Sequence, residues 1–141
     1  MRRGPYQCNM SRMATLLIVD DDTLIRDTLR DLLSETHECH TADRAEQALA
    51  YLEMESYDVV LTDINMPGLS GHDLLGHIRN THPYTPVIVI SGIVVEDTAK
   101  VFDELGAFAY FSKPFKLDEV EDAVNRAIGR HQDLIDANRS Q

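Results

Sequence analysis

Short apolar runs alternate along the chain with segments whose apolar residues recur every three or four positions. Four runs, at residues 16–19, 59–62, 87–90 and 108–111, are almost wholly apolar, and we also predict a more polar strand at 38–41. Apolar runs of this length are typical of strands that are buried on both faces of a parallel sheet. The alternation therefore predicts an α/β fold with five parallel strands.

The segments between the runs have the period of amphipathic helices. Five helices are predicted, around residues 24–33, 45–52, 74–78, 99–105 and 117–128. Asp22 and Asp43 stand just before the first two, where an aspartate side chain can cap free backbone N–H groups. The pattern thus consists of five strand and helix units in succession.

The length of 141 residues fits one compact domain. Residues 1–14 have no apolar period and contain Gly4, Pro5 and Asn9, so they are predicted to be a flexible leader. The domain is expected to span residues 15–131. Residues 132–141 are expected to be a C-terminal extension or tail, in which Leu134 and Ile135 could prolong the last helix.

The chain is strongly acidic, with 24 Asp and Glu against 13 Lys and Arg and a net charge of -11. This charge argues against direct nucleic-acid binding and against anionic membrane surfaces. No apolar run approaches the ~20 residues of a membrane-spanning helix. Cys8 and Cys39 form no C-x-x-C motif, and no secretory signal precedes the domain. These features predict a cytoplasmic protein.

Polar side chains follow the predicted strands at the end where an open parallel sheet binds its ligands. Residues 20–22, all aspartates, follow the first strand, and Asp63, Ser91 and Lys113 follow the third, fourth and fifth. If the first and third strands are neighbours, three carboxylates converge and repel one another by ~1 to 4 kcal/mol per pair. A cation must offset that repulsion, and an all-oxygen ligand set favours Mg²⁺ over zinc.

The same residues are suited to phosphoryl transfer. A carboxylate beside Mg²⁺ and the Lys113 ammonium can attack phosphorus, because both cations neutralise the oxygens of the moving phosphoryl group. Ser91 adds a hydroxyl donor. The strand ends therefore supply an acceptor, a metal cradle, a donor and a fixed cation.

Four motifs resemble the receiver domain of two-component response regulators. They are LIVDDD at 17–22, LTDINMPG at 61–68, VISG at 89–92 and YFSKPF at 110–115, and the likeness spans about residues 15–130. The resemblance implies a flavodoxin-like, doubly wound five-stranded parallel sheet in the order 2-1-3-4-5, flanked by five helices. Sheets of this kind bind their ligands beyond the carboxyl ends of the strands.

The resemblance also implies roles for individual residues. Asp63 is expected to be the phosphoacceptor, and Asp21 and Asp63 to ligate Mg²⁺ directly. Asp20 would act mainly through water, and the Asn65 carbonyl would complete the protein ligands. By the same resemblance Lys113 holds the phosphoryl group and precedes a commonly cis peptide bond to proline.

Ser91 and Tyr110 resemble the switch pair of the family, in which the hydroxyl moves and the aromatic ring turns inward. The chain is then a non-enzymatic regulator with metal-assisted self-phosphorylation and slow autodephosphorylation. Its implied partners are a sensor histidine kinase or a histidine phosphotransfer protein. The resemblance also suggests a homodimer through the face of the fourth predicted helix, fifth strand and fifth helix.

Two other functions fit parts of the sequence. Residues 16–23 also match the strand and D-x-D-x-T opening of haloacid dehalogenase phosphatases, Mg²⁺-dependent enzymes in which Asp20 would be the nucleophile and Asp22 the acid/base. That interpretation leaves Asp63 without a role. A receiver-like module that signals without phosphate is the second alternative, although this chain has every acceptor-site residue.

Overall fold

The strands and helices come from a computed structural model that describes residues 13–63, 71–92 and 106–139. The strands are β1 (Thr15–Val19), β2 (Glu38–Ala42), β3 (Val59–Asp63), β4 (Val87–Ser91) and β5 (Ala109–Ser112). The described helices are α1 (Thr23–Leu33), α2 (Ala45–Met54), α3 (Gly71–Thr81) and α4 (Leu117–Arg139). The polar strand predicted at 38–41 is therefore present.

The five strands form one parallel sheet in the order β2-β1-β3-β4-β5, which confirms the predicted fold. β1 and β3 are neighbours, with Val19 paired to Thr62. The residues that follow these two strands therefore start at adjacent positions on one edge of the sheet. The helix predicted around 99–105 lies outside the described residues.

Two apolar layers cover the sheet. Alternate strand residues point to opposite faces, so Leu17, Val60 and Val89 pack with α2 and α3, whereas Ile18 and Leu61 pack with α1 and α4. β3 and β4 are buried along their whole length. This burial on both faces explains why the sequence shows unbroken apolar runs rather than alternation.

The two predicted caps have different outcomes. The Asp22 carboxylate accepts the Leu24 N–H at 2.9 Å and caps α1, as predicted. The prediction for Asp43 is wrong, because Arg44 is the N-cap of α2 and makes no side-chain cap bond. Instead, the Asp43 N–H donates to Gln47 Oε1 at 2.9 Å, so a glutamine side chain satisfies the backbone at this helix start.

α4 has 23 residues and continues through Leu134 and Ile135 to Arg139. It therefore occupies most of the segment predicted as an extension or tail. Ala14 is buried in the layer with α1 and α4, and residues 1–12 of the predicted leader lie outside the described residues. None of the described helices is long and apolar enough to cross a membrane.

Candidate functional site

Three aspartates from two neighbouring strand ends meet at the carboxyl edge of the sheet. Asp20 follows β1 directly and is 2% exposed, and Asp63 ends β3 and is 5% exposed. Asp21 is exposed to solvent. One carboxylate oxygen from each residue lies within 4.8 Å of the others. The structure thus brings together the three carboxylates that were assigned to a metal from the sequence.

Lys113 follows the edge strand β5, and its side chain reaches two of these carboxylates. Its Nζ lies 3.1 Å from Asp20 Oδ2 and 3.4 Å from Asp63 Oδ2, and the lysine side chain is 20% exposed. One ammonium group thus pairs with two carboxylates of a cluster of three. The excess of negative charge and the oxygen-only donor set suit a hard divalent cation such as Mg²⁺.

The electrostatics of the pair reflect its burial. Burial raises the pKa of Asp20 above its ordinary value, against the opposing hydrogen bonds from the Asp22 N–H and Lys113. Burial alone would lower the pKa of Lys113, but its bonds to Asp20 and the charges of Asp20 and Asp63 outweigh that effect and raise it. Lys113 is therefore a permanent cation at neutral pH.

Asp20 is held in place through both its side-chain carboxylate and its backbone carbonyl. The Asp22 N–H donates to Asp20 Oδ1 at 2.8 Å, and Arg26 Nη1 donates to the Asp20 carbonyl oxygen at 2.8 Å. Arg26 was not identified as a site residue from the sequence. Its signal was its position in the first turns of α1, the helix that starts immediately after the three aspartates.

Ser91 and Tyr110 lie on neighbouring strands. Ser91 ends β4 and is fully buried, and its carbonyl oxygen accepts the Lys113 N–H at 2.7 Å. Tyr110 is half-buried, pairs with Val89 and packs on the face covered by α2 and α3. Strand alternation places Ser91 on the same face as Val89. The predicted switch pair therefore shares one face of the sheet.

Two predictions remain: the cis peptide bond after Lys113 and the role of Asn65. The Lys113–Pro114 peptide bond is cis, as the resemblance implied. Asn65 lies outside the described residues. The assignment of its carbonyl as a metal ligand stays a prediction.

A second group of candidate ligands lies along the edge strand β2. His40 Nε2 is 2.7 Å from Glu38 Oε2, while His40 Nδ1 is 2.7 Å from Tyr57 Oη and 3.3 Å from Glu55 Oε2. Both ring nitrogens of His40 therefore already have partners among these neighbouring side chains. Glu38 and Glu55 are about half exposed, so water also solvates their charge. This group lacks the buried charge excess of the aspartates.

Comparison with known sequences places most of this chain in one protein family. Residues 16–125 match the family described as the response regulator receiver domain. Response regulator protein FleR of Pseudomonas aeruginosa is 40% identical over 119 residues, which are 83% of this chain and 25% of FleR. DNA-binding transcriptional regulator NtrC of Salmonella typhimurium is 40% identical over 117 residues, which are 82% of this chain and 25% of NtrC. The chain therefore spans about a quarter of the length of these relatives.

Solved structures agree with the strand order. A response regulator receiver domain protein from Clostridium thermocellum superposes with a TM-score of 0.80 at 34% identity, covering 86% of this chain and 99% of that one. NtrX from Brucella abortus, solved in complex with ADP, gives a TM-score of 0.85 at 34% identity, covering 92% of this chain and 30% of NtrX. The family match, these identities and the parallel sheet agree, and the chain belongs to the receiver domains of response regulators.

Proposed function

We propose that this receiver accepts a phosphoryl group on Asp63 from a phosphohistidine donor, with Mg²⁺ as cofactor. The observation that carries the proposal is the meeting of Asp20, Asp21 and Asp63 within 4.8 Å, with the Lys113 ammonium 3.4 Å from Asp63. A cluster with this excess of negative charge is unfavourable unless cations join it. Mg²⁺ would supply the missing positive charge and, together with the Lys113 ammonium, would offset the negative oxygens of the phosphoryl group.

The transfer forms one bond and breaks one bond. An Asp63 carboxylate oxygen attacks phosphorus, the P–N bond to the donor imidazole breaks, and an acyl phosphate forms on Asp63. The departing imidazole retains the electron pair of that bond and takes up a proton. Lys113 pairs with a phosphoryl oxygen throughout, because its Nζ already lies beside the attacking carboxylate.

Four residues would hold the metal. Asp21 and Asp63 are proposed as direct ligands, Asp20 as a ligand through water, and Asn65 as a carbonyl ligand. When bound, Mg²⁺ supplies positive charge that offsets the phosphoryl oxygens and the repulsion among the carboxylates. The protein groups contribute position: the Asp22 N–H and Arg26 fix Asp20, and Lys113 spans Asp20 and Asp63.

Phosphorylation is proposed to shift the population between two arrangements of Ser91 and Tyr110. Ser91 is linked to the site through the bond from the Lys113 N–H to its carbonyl oxygen. The chain then acts as a regulator rather than a turnover enzyme, with slow loss of its own acyl phosphate. A histidine kinase or a histidine phosphotransfer protein is the proposed donor.

The proposal extends to the output and the location. A homodimer through the fourth predicted helix, β5 and α4 is the proposed form of the phosphorylated chain. Control of an attached or separate output is proposed from relatives such as NtrC, which is named a DNA-binding transcriptional regulator. A cytoplasmic location is supported by Cys39, a free thiol in the described part of the chain.

The test is incubation with Mg²⁺ and acetyl phosphate, followed by mass spectrometry, peptide mapping and size measurement. We expect one added phosphoryl group on Asp63, loss of the modification in Asp63→Asn, and a shift in size on phosphorylation. Asp31→Asn, which alters a 77% exposed aspartate of α1, is the matched control and should be modified normally.

Two results of the same mapping would count against the proposal. Modification of Asp20 would instead support the phosphatase, which the family assignment already disfavours. A binding module that signals without phosphate predicts no modification at all.

A further inference from the structure

A cleft of about 310 Å³ lies at the end of the sheet opposite Asp63. Residues 83–86, which lead into β4, and residues 106–108, which lead into β5, form its floor. Arg79 from the last turn of α3 and Arg130 and Leu134 from α4 form its sides. Nothing in the proposed phosphoryl transfer uses this cleft.

The two arginines of the cleft differ from other arginines of the chain. Arg30, Arg44 and Arg126 each lie beside a carboxylate. Arg79 and Arg130 form no ion pair with any described carboxylate, in a chain whose net charge is -11. The cleft is therefore lined by two arginines that no described carboxylate contacts.

Arg79 is positioned by the backbone around it. Gly106 has a φ of 93°, and a Cβ on it would come within 2.6 Å of Arg79 Nε. Only glycine allows this approach without displacing the arginine. Arg79 Nη1 also reaches the Pro83 carbonyl oxygen at 3.4 Å. Arg79 thus lies against Gly106 and the Pro83 carbonyl oxygen at the rim of the cleft, while its side chain stays exposed to solvent.

Two aromatic residues line the cleft: Tyr84, which is 38% exposed, and Phe108, whose ring packs with the layer of α1 and α4 and lies under Arg126. The Tyr84 hydroxyl donates to Asn138 Oδ1 at 2.9 Å, which fixes the ring against α4. The Phe108 N–H donates to the Val87 carbonyl oxygen at 2.8 Å, so the backbone that carries this ring is anchored to the sheet. The partly exposed Tyr84 ring, beside guanidinium groups that no described carboxylate contacts, is suited to a planar anion.

We propose that this cleft binds a small organic phosphate-type anion, made of one planar ring and a doubly charged head group. Guanidinium groups recognise phosphate and phosphonate oxygens through paired hydrogen bonds. The volume is near the lower end of ligand pockets, about 300 to 1,000 Å³, which fits one ring and its head group. Binding here is independent of Asp63 and of Mg²⁺.

The probe is phenylphosphonate, whose P–C bond cannot transfer a phosphoryl group to Asp63. The full chain is titrated without Mg²⁺, and amide shifts of Gly106, Phe108 and Leu134 are followed by NMR. We expect saturable shifts, and Arg79→Ala or Arg130→Ala should weaken binding by about tenfold or more. Arg44→Ala, which removes an exposed arginine of another surface, is the control and should bind as the parent does.

Further probes separate the two parts of the ligand. Inorganic phosphate, which lacks the ring, and benzyl alcohol, which lacks the charge, should both bind more weakly than phenylphosphonate. Arg79→Lys keeps the charge but loses the planar fork, so its affinity should fall between those of the parent and Arg79→Ala. Asp63→Asn should bind phenylphosphonate unchanged, which separates this test from that of phosphorylation.

Three results would overturn the proposal. The first is the absence of saturable shifts at the three cleft amides. The second is equal affinity of the parent and both alanine variants. The third is a set of shifts centred on Asp63 and Lys113, which would assign the anion to the acceptor site instead.

Discussion

The two ends of the sheet each place a carboxylate beside a cationic or basic side chain. They differ in how much of the carboxylate charge has a partner within the protein. At the carboxyl end, three aspartates cluster, and the Lys113 ammonium pairs with two of them, Asp20 and Asp63. At the amino end, Asp58 Oδ2 accepts the Thr15 N–H at 2.8 Å, and Asp58 Oδ1 lies 3.3 Å from His131 Nε2. The fold satisfies the second carboxylate from its own groups.

His131 completes the network at the amino end. Its side chain is 11% exposed, and its Nδ1 lies 2.8 Å from the Tyr84 carbonyl oxygen. Each atom of this network has a partner in the protein, as is usual for buried polar groups that stabilise a fold. The difference teaches that the aspartates at the other end are arranged for external charges, at the expense of mutual repulsion.

The largest expected effect is on the carboxyl end. Lys113→Ala should slow phosphoryl acceptance from acetyl phosphate by roughly 100- to 1,000-fold, because it removes the fixed charge that faces the transferring group. A time course by mass spectrometry in the presence of Mg²⁺ measures the rate. Lys116→Ala removes an exposed lysine nearby and should react at the parent rate. An unchanged rate in Lys113→Ala would remove this lysine from the transfer step.

An intermediate effect is expected at the amino end. His131→Leu keeps the approximate volume but leaves Asp58 and the Tyr84 carbonyl oxygen without their partner, so the free energy of unfolding should fall by about 1 to 3 kcal/mol. Urea unfolding measures the change, and phosphorylation of Asp63 should be unaffected. His77→Leu, at an exposed position of α3, should change stability by no more than about 0.5 kcal/mol.

One result for His131→Leu would contradict this prediction. If it slowed phosphorylation while stability stayed the same, the assignment of the Asp58 and His131 network to stability rather than to phosphoryl transfer would be wrong.

The smallest effect concerns pH at the amino end. Burial lowers the pKa of His37 below its ordinary value of 6.5, although Asn125, Asp58 and Glu121 partly oppose the shift. His37 Nδ1 also accepts the Ala14 N–H at 3.3 Å, which requires that nitrogen to be unprotonated. A lowered pKa in the fold contributes stability that is present above pH 6.5 and lost as the pH falls through the folded value.

We therefore expect the unfolding midpoint in urea to fall between about pH 7.5 and about pH 5, by a small amount because solvent screens this half-buried group. His37→Gln should flatten that part of the profile, whereas His77→Gln should leave it as it is. An identical slope in His37→Gln and the parent would assign the pH dependence to other groups.

The carboxyl end could be predicted from the sequence because each of its residues comes directly after an apolar run. Asp20, Asp63 and Lys113 are polar at positions where successive runs stop, and parallel strands bring those positions to one edge. The pattern of runs thus specified both the fold and the site. β2 was harder to predict because its side chains are only half-buried at a sheet edge.

The amino end gave no such signal. Asp58 and His131 are 73 residues apart and stand singly in a loop and in a helix, so no periodicity links them. Arg79 and Gly106 likewise come together only through the packing of α3 against the chain that enters β5. Contacts of this kind depend on tertiary packing, which local sequence patterns do not encode.

α4 is a rod of 23 residues, about 34 Å long. Its distal half is tethered twice to Tyr84, through His131 to the carbonyl oxygen and through Asn138 to the hydroxyl. Tyr84 stands three residues before β4 begins, and β4 runs directly to Ser91. The distal half of α4 is therefore bonded to the segment that leads into the strand ending at Ser91.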